Sequence, residues 1–369
     1  MLIAKDRFIG LETVAHLCTG GESPMLKSHH DRLGQFLADK ALGEEARARF
    51  EATQARCKQK TADLLHVSGE DITFLSSASD GVNLVAHALE WQPGDNVVIV
   101  DVEFPSDVLP WAKLQAKGVE VRVVRHQNWY ISLDAIAAQI DARTRVVNVS
   151  LVSYFTGQRL PLKALSELVR SSNALLLVDA THAAGSIDVE ASYADILLSS
   201  CYKWLLGVHG TAVFYWNRDR LPNLMPPFVG WNTSATLSGW QDPTAYTPRP
   251  DADRFIPGNP GFISLYILEN ALDHILAVGA DAIEAHNVHL SGLVRDGVAK
   301  TGWNLMTPAA AAERAGNVCF MVPDIAGFMA RLEAQGVMVW GGYGGVNRIR
   351  VSTHLYNTEE DVARFLAAL

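Results

Sequence analysis

Residues 175–207 read LLLVDATHAAGSIDVEASYADILLSSCYKWLLG, and this stretch decides the fold. Its two short apolar runs, Leu175 to Val178 and Ile196 to Leu198, have the composition of strands buried on both faces. Asp179 closes the first run and Lys203 lies just past the second. Open α/β sheets bind ligands at the C-terminal ends of such strands, so both polar residues fall where a site forms. A carboxylate there can keep a pyridine nitrogen protonated, and a lysine can hold an aldehyde as a Schiff base. Together they describe how a protein holds and tunes pyridoxal phosphate. On these two residues alone, an aspartate capping the next turn and a lysine on a loop remain the plain alternative.

Upstream, strand and helix patterns alternate. Strands are expected at 71–76, 95–102, 119–126, 144–152, 174–180, 194–200 and 211–217, with helices from about Ser106, from about Leu133 and near Pro161 to Val169. Such alternation implies an α/β fold with a mostly parallel sheet covered on both faces. The run FLSSASDGVNLVAHALEW passes from the first strand into an amphipathic helix beginning near Ser79 or Asp80. A helix start offers unpaired N–H groups, and Ser77 and Ser79 add hydroxyls, so phosphate can bind there; a simple N-cap is the alternative. No GxGxxG or GxxxxGK[ST] occurs, which removes the usual nucleotide fingerprints.

Residues 1–70 read as an N-terminal arm followed by helices, 71–262 as a large ligand-binding domain, and 263–369 as a smaller α+β domain. The 218–262 connection is rich in Pro, Gly, Trp and Asn, the composition of irregular segments that carry function. Beyond it come helices at about 262–278 and 280–300, then the strand NVCFMV, the helix DIAGFMARLEAQG and the strands VMVW and NRIRVST. A last helix starts at Thr358, capping-box-like with Asp361.

The 369 residues, 49% hydrophobic and 19% charged, are ordinary for a globular protein of about two domains. A net charge of −9 argues against a general nucleic-acid binder. Four cysteines without a close pair give no sign of a metal site or a dithiol. Charges at Lys5, Asp6, Arg7 and Glu12 interrupt any signal-peptide core, and no run reaches the ~18 apolar residues of a membrane span, so a cytoplasmic protein without membrane insertion is expected.

VDATHAAG followed by SSCYKWLLG, with SSASDGVN upstream, resembles the class V aminotransferase group of fold type I pyridoxal phosphate enzymes. The likeness is to the branch of cysteine desulfurases, selenocysteine lyases and isopenicillin N epimerases. It covers most of the chain and implies a large domain with a mostly parallel sheet plus the smaller C-terminal one. Lys203 then matches the Schiff-base lysine and proton shuttle, Asp179 the partner of the pyridinium, and His182 the donor to the phenolic oxygen. Ala78, Ser79 and Ser200 match phosphate contacts, and Tyr202 stands where His is usual. Phe104 in VEFPSDVLPW matches the aromatic residue stacked on the ring, often His in desulfurases; core packing is its alternative.

Arg350 in NRIRVST matches the arginine that binds the substrate carboxylate, with Arg348 two residues away on the same strand face as its competitor. RFIPGNP resembles the loop that reaches the partner's phosphate across a homodimer interface, with Asn259 where Thr is usual and Ile256 where Glu is usual. Tyr154 replaces an Asn beside the cofactor. Between Val339 and Arg348, where desulfurases carry a mobile cysteine, the chain has VWGGYGGVNR and no thiol. Cys201, placed by strand alternation on the side of Lys203, is the one other candidate. The resemblance therefore implies a small amino-acid substrate and no enzyme persulfide. Transamination is the first expectation, β-elimination of sulfur or selenium and epimerisation the alternatives. A non-catalytic doubly wound binding module is the reading from a different class.

Overall fold

The computed structural model describes residues 1–236, 242, 244–342 and 345–369. Seven strands form the large sheet in the spatial order Ile72–Leu75, Ala212–Trp216, Ile196–Ser200, Leu175–Asp179, Thr144–Ser150, Asn96–Val100 and Glu120–Val124. All run parallel except Ala212–Trp216, which is antiparallel to both neighbours. The central strands are buried along nearly their whole length, as their β-branched and aliphatic runs require. Register brings Ser150 opposite Asp179 and Asp179 opposite Leu198. The C-terminal ends of three strands thus finish at one level, and polar side chains cluster there.

The helix Ala78–Ala88 starts slightly earlier than the sequence pattern implies. Ser77 is its N-cap, accepting the Asp80 N–H at 3.1 Å, so Ser79 lies inside the first turn. Gly81 lets this turn sit directly on the sheet, because a Cβ there would come within 2.4 Å of Leu198. Close approach carries the helix N-terminus to the strand ends. Instead of one helix from Ser106, a 3₁₀ turn at Pro105–Asp107 precedes a short helix at Leu109–Leu114.

A second, antiparallel sheet has the order Trp340–Gly341, Arg348–Ser352, Asn317–Met321, Asn304–Leu305. The expected single strand VMVW is divided. Val337–Met338 pairs in parallel with Ala15–His16, while Trp340–Gly341 pairs with the Arg348–Ser352 strand. The N-terminal segment continues along that strand, Leu17 accepting the Ser352 N–H at 2.8 Å. Gly20 then faces Arg350, and a Cβ on it would stand 3.1 Å from Arg350 Nε. The arm is therefore built into the C-terminal half.

Helices His29–Lys40 and Glu45–Leu65 pack on Phe262–Val278. Thr358 caps Glu359–Leu366 with both bonds of the capping box in place. Among the described residues no single helix is long and apolar enough to cross a membrane. The apolar pair Phe262–Val278 and Ala280–Ala299 bends by 80°, and Leu265, Leu268, Leu272 and Ile275 belong to the core.

Candidate active site

A cavity of 240 Å³ opens at the aligned strand ends. Ala78, Ser79, Phe104, Asp179, His182, Ser200, Tyr202 and Lys203 all line it, although they come from four separate stretches of chain. A larger cleft of 510 Å³ is walled by Pro226, Pro227, Phe228, Phe255 and Ile256. It is mostly apolar and holds none of the lysine, histidine and buried carboxyl groups of the smaller cavity, so the chemistry belongs to the latter. Asn259 lies in the larger cleft, bonded to Arg47 at 2.7 Å, and is not brought together with Lys203.

Lys203 is 9% exposed. Burial, with the charge of Arg350, pushes its amine down to about 8, against the pull of Asp179 and more distant acids. Its Nζ stands 3.3 Å from His182 Nε2. On the far side of the imidazole, Nδ1 accepts the Trp204 indole N–H at 3.3 Å and meets Asn317 Nδ2 at 3.0 Å. Burial and the nearby Lys203, Arg350 and Arg348 charges hold the imidazole well below its ordinary titration range, so it is neutral. A neutral imidazole that accepts at Nδ1 carries its proton on Nε2. His182 thus presents a fixed N–H toward Lys203.

The turn after Leu175–Asp179 orients the acid. Asp179 Oδ1 accepts the Thr181 N–H at 2.7 Å, and Thr181 Oγ1 accepts the Ser200 N–H at 3.0 Å, stitching the two strand ends together. Phe104 lies edge-on to Tyr154 with ring centroids 5.2 Å apart. Lys203 Nζ stands 5.8 Å from the Phe104 ring and 5.4 Å from that of Tyr202. At the other end, Ser79 and Ser106 share a hydroxyl hydrogen bond of 2.7 Å beside the first turn of Ala78–Ala88. Hydroxyls, free N–H groups and the positive helix end converge there.

Arg348 and Arg350 do share a face, and each donates through Nη1 to the Tyr154 carbonyl, at 2.8 and 3.2 Å. Arg348 also holds the Phe155 carbonyl at 2.9 Å and stacks 4.3 Å over the Phe155 ring, which makes it a clamp on that turn. The Nε of both arginines meets no partner among the described residues, but Arg350 holds one carbonyl where Arg348 holds two, and burial lowers the Arg350 guanidinium to about 10. A buried guanidinium with bonding capacity left over suits a carboxylate.

Cys201 does not face the cavity. The strand ends at Ser200 and the chain turns, so alternation stops before Lys203; the thiol packs in the core, where burial pushes it up to about 12. Cys18, Cys57 and Cys319 are also buried, and burial raises each. Tyr343, the one functional side chain of the 341–346 loop, lies outside the described residues.

Several lining residues were not singled out in the sequence: Ser106, Asp107, Ser150, Thr181 and His209. Ser106 and Asp107 immediately follow Phe104 and its proline, where a strand end turns into a helix, so position alone could have flagged them. His209 stacks on Tyr202 with centroids 3.9 Å apart and pairs with Glu22 at 3.2 Å at the mouth, a contact no local pattern encodes.

The residues present fit pyridoxal phosphate. A buried lysine amine, a carboxylate at the cavity base, an aromatic ring and a helix N-terminus match its aldehyde, pyridine nitrogen, ring face and phosphate in turn. Fold and site together define a fold type I pyridoxal phosphate-dependent enzyme. The aminotransferase class-V pattern matches residues 37–365, and the chain belongs to that family. It is 30% identical to a cysteine desulfurase of Dickeya dadantii, over 87% of this chain and 82% of that one. An uncharacterized aminotransferase of Schizosaccharomyces pombe is 29% identical, over 83% and 78%. The apo cysteine desulfurase of Thermococcus onnurineus superposes with a TM-score of 0.88 at 22% identity, covering 99% of this chain and 96% of that one. The cystine C–S lyase C-DES, in complex with cysteine persulfide, does so at 0.87 and 22%, covering 98% of each.

Proposed function

We propose that this chain eliminates a sulfur or selenium substituent from the β-carbon of an amino acid without storing the sulfur on a cysteine of its own. The observation that carries this reading is a buried lysine amine, brought near neutrality, in a cavity that no described thiol lines. The 30% identical relative named cysteine desulfurase supports the substrate class.

Bound in the cavity, pyridoxal phosphate supplies an electron sink for charge developing at the substrate α-carbon. Lys203 Nζ takes the α-proton and is the group that can return it to the leaving sulfur. Arg350 holds the substrate carboxylate, fixing which α-bond faces Lys203. Asp179 keeps the pyridine nitrogen charged, and the His182 Nε2–H donates toward the phenolic oxygen. Phe104 covers the ring and excludes water. The Cα–H and Cβ–S bonds break, sulfur departs with its electron pair and a proton, and water converts the remaining enamine to a 2-keto acid and ammonium.

Transamination is the second reading, favoured by the S. pombe relative's name and by the same lysine, whose amine can both take up and return a proton. The reconstituted protein should be incubated with cysteine, cystine and selenocysteine, and separately with alanine or aspartate plus a 2-keto acid. Sulfide, persulfide or selenide released with pyruvate supports elimination. Amino-group transfer without chalcogen release overturns it in favour of transamination.

The working form under this proposal is a cytoplasmic homodimer in which a second copy brings Asn259 to the phosphate end. Asn259 lines the larger cleft rather than the cavity of its own chain, and Phe228 and Trp231 nearby are 68% and 50% exposed. Sedimentation of the holoprotein tests the dimer; an active monomer at micromolar concentration rules it out.

A further inference from the structure

Three carboxyl groups, Glu103, Asp107 and Asp179, are buried together beneath the cavity, at 7%, 1% and 8% exposure. Two of them have donors suited to a negative charge. Glu103 accepts from both the N–H and the hydroxyl of Ser150, which work against the burial that raises it to about 7, and Asp179 accepts the Thr181 N–H. Asp107 differs.

Among the described residues its Oδ1 accepts only the Asn148 side-chain N–H, at 3.2 Å. The Trp111 indole donates to Asn148 Oδ1 at 2.8 Å, and since an indole can only donate, the Asn148 amide must turn its NH₂ toward Asp107. The other oxygen, Asp107 Oδ2, is buried and meets no donor among the described residues. What stands against this side chain is the Asp179 carboxyl. Two carboxylates in contact out of water cannot both be ionised, so one holds a proton. Asp179 already accepts the Thr181 backbone N–H, whereas Asp107 has no such donor among the described residues, and burial with the Asp179 and Glu103 charges pushes Asp107 well up. A proton on Asp107 also removes the orphan, because Oδ2 then has an acceptor to face.

We propose that Asp107 is a positioning residue, a neutral acid whose O–H donates to the Asp179 carboxylate and sets its orientation and charge toward the cofactor's pyridine nitrogen. This rests on the proposed pairing of Asp179 with that nitrogen. The chain Trp111, Asn148, Asp107, Asp179 then runs from the helix Leu109–Leu114 through the strand Thr144–Ser150 to the cavity. Neutral Asp107 adds no second negative charge beside the cofactor. An ionised one would repel Asp179.

The test compares Asp107→Asn, which keeps an N–H donor of the same shape, with Asp107→Leu and Asp107→Ala, which remove it. Each is reconstituted with pyridoxal phosphate, and two quantities are read: cofactor Kd and the pH midpoint of the lysine-bound cofactor's absorbance. Asp107→Asn is expected to stay within about twofold of wild type in Kd. The donorless variants should weaken binding about tenfold, the loss of one charge-assisted bond, and raise the midpoint by about half a unit. Unchanged Kd and midpoint in a folded donorless variant overturn the proposal, as does an Asn variant as impaired as the Leu variant. Should both donorless variants fail to fold, the infrared C=O stretch of a protonated carboxylic acid at pH 7, present in wild type and lost in Asp107→Asn, supports it; absence of that band in wild type overturns it. Asp179→Asn separates the two claims. If it leaves the midpoint unmoved, the Asp179 pairing itself fails; if it moves the midpoint while Asp107→Leu does not, only the Asp107 role fails.

Discussion

The Trp204 indole donates to His182 Nδ1 at 3.3 Å, on the side of the imidazole opposite the Lys203 amine. Because the indole cannot accept, this contact, together with the Asn317 amide on the same nitrogen, leaves the histidine proton on Nε2. Trp204 follows Lys203 directly in the chain, so one turn supplies both the amine and the group that aims its neighbour.

Trp204→Phe should therefore act on the cofactor as well as on folding. Loss of the indole donor and its packing is expected to lower unfolding free energy by about 1–3 kcal/mol. The pH midpoint of the cofactor absorbance should also move, because His182 Nδ1 keeps only the Asn317 amide and the imidazole is held less firmly toward Lys203. Denaturant titration and a spectral pH series check both; a stability loss with an unmoved midpoint leaves Trp204 a packing residue only.

Lys203 is expected to carry the pyridoxyl group after borohydride reduction, with peptide mapping as the readout. Label on Lys163 or any other lysine contradicts the assignment. The pH dependence follows from its environment. Only the neutral amine attacks an aldehyde, and its fraction rises about tenfold per pH unit below the pKa and then levels off. With the amine at about 8 rather than the ordinary 10.5, cofactor uptake by the apoprotein should flatten just above pH 8. Uptake still climbing at pH 10 shows an unperturbed lysine.

Arg350→Lys and Arg348→Lys should separate binding from scaffolding. An ammonium cannot reproduce two parallel bonds to a carboxylate, so Arg350→Lys is expected to raise KM by about 10- to 100-fold with the cofactor spectrum unchanged. Arg348→Lys releases the Tyr154 and Phe155 carbonyls and should lower thermal stability more than it raises KM. The opposite pattern exchanges their roles.

Incubation with cysteine in the absence of reductant should add no sulfur to the protein by intact mass at a kinetically competent rate. Buried thiols held far from ionisation are poor nucleophiles. A persulfide formed on turnover, and lost in Cys201→Ala or Cys18→Ala, restores a desulfurase that carries sulfur on itself.

The order of strands and helices was legible because it is written locally. Apolar runs such as Leu175 to Val178 can only be buried strands, and a polar residue ending such a run must sit at the sheet's ligand-binding edge. Asp179, Lys203 and the helix start at Ser77 to Ser79 could be placed for that reason, and eight marked residues line one cavity. The division of VMVW was not legible, since which neighbour each half pairs with depends on where the N-terminal arm returns. Cys201 was misjudged because alternation was carried one turn past the strand's end.

Sequence alone determined which chemical groups this protein has and which strand ends carry them, because hydrophobic periodicity and turn chemistry act over a few residues. Tertiary structure alone decided their states. The proton on His182 is set by Trp204 and by Asn317, which is 135 residues away in the chain. The Lys203 amine is brought down by burial and by Arg350, and Asp107 is raised by burial against Asp179. Tautomer, charge and orientation depend on desolvation and on contacts between distant segments, and those exist only once the chain has closed around the cavity.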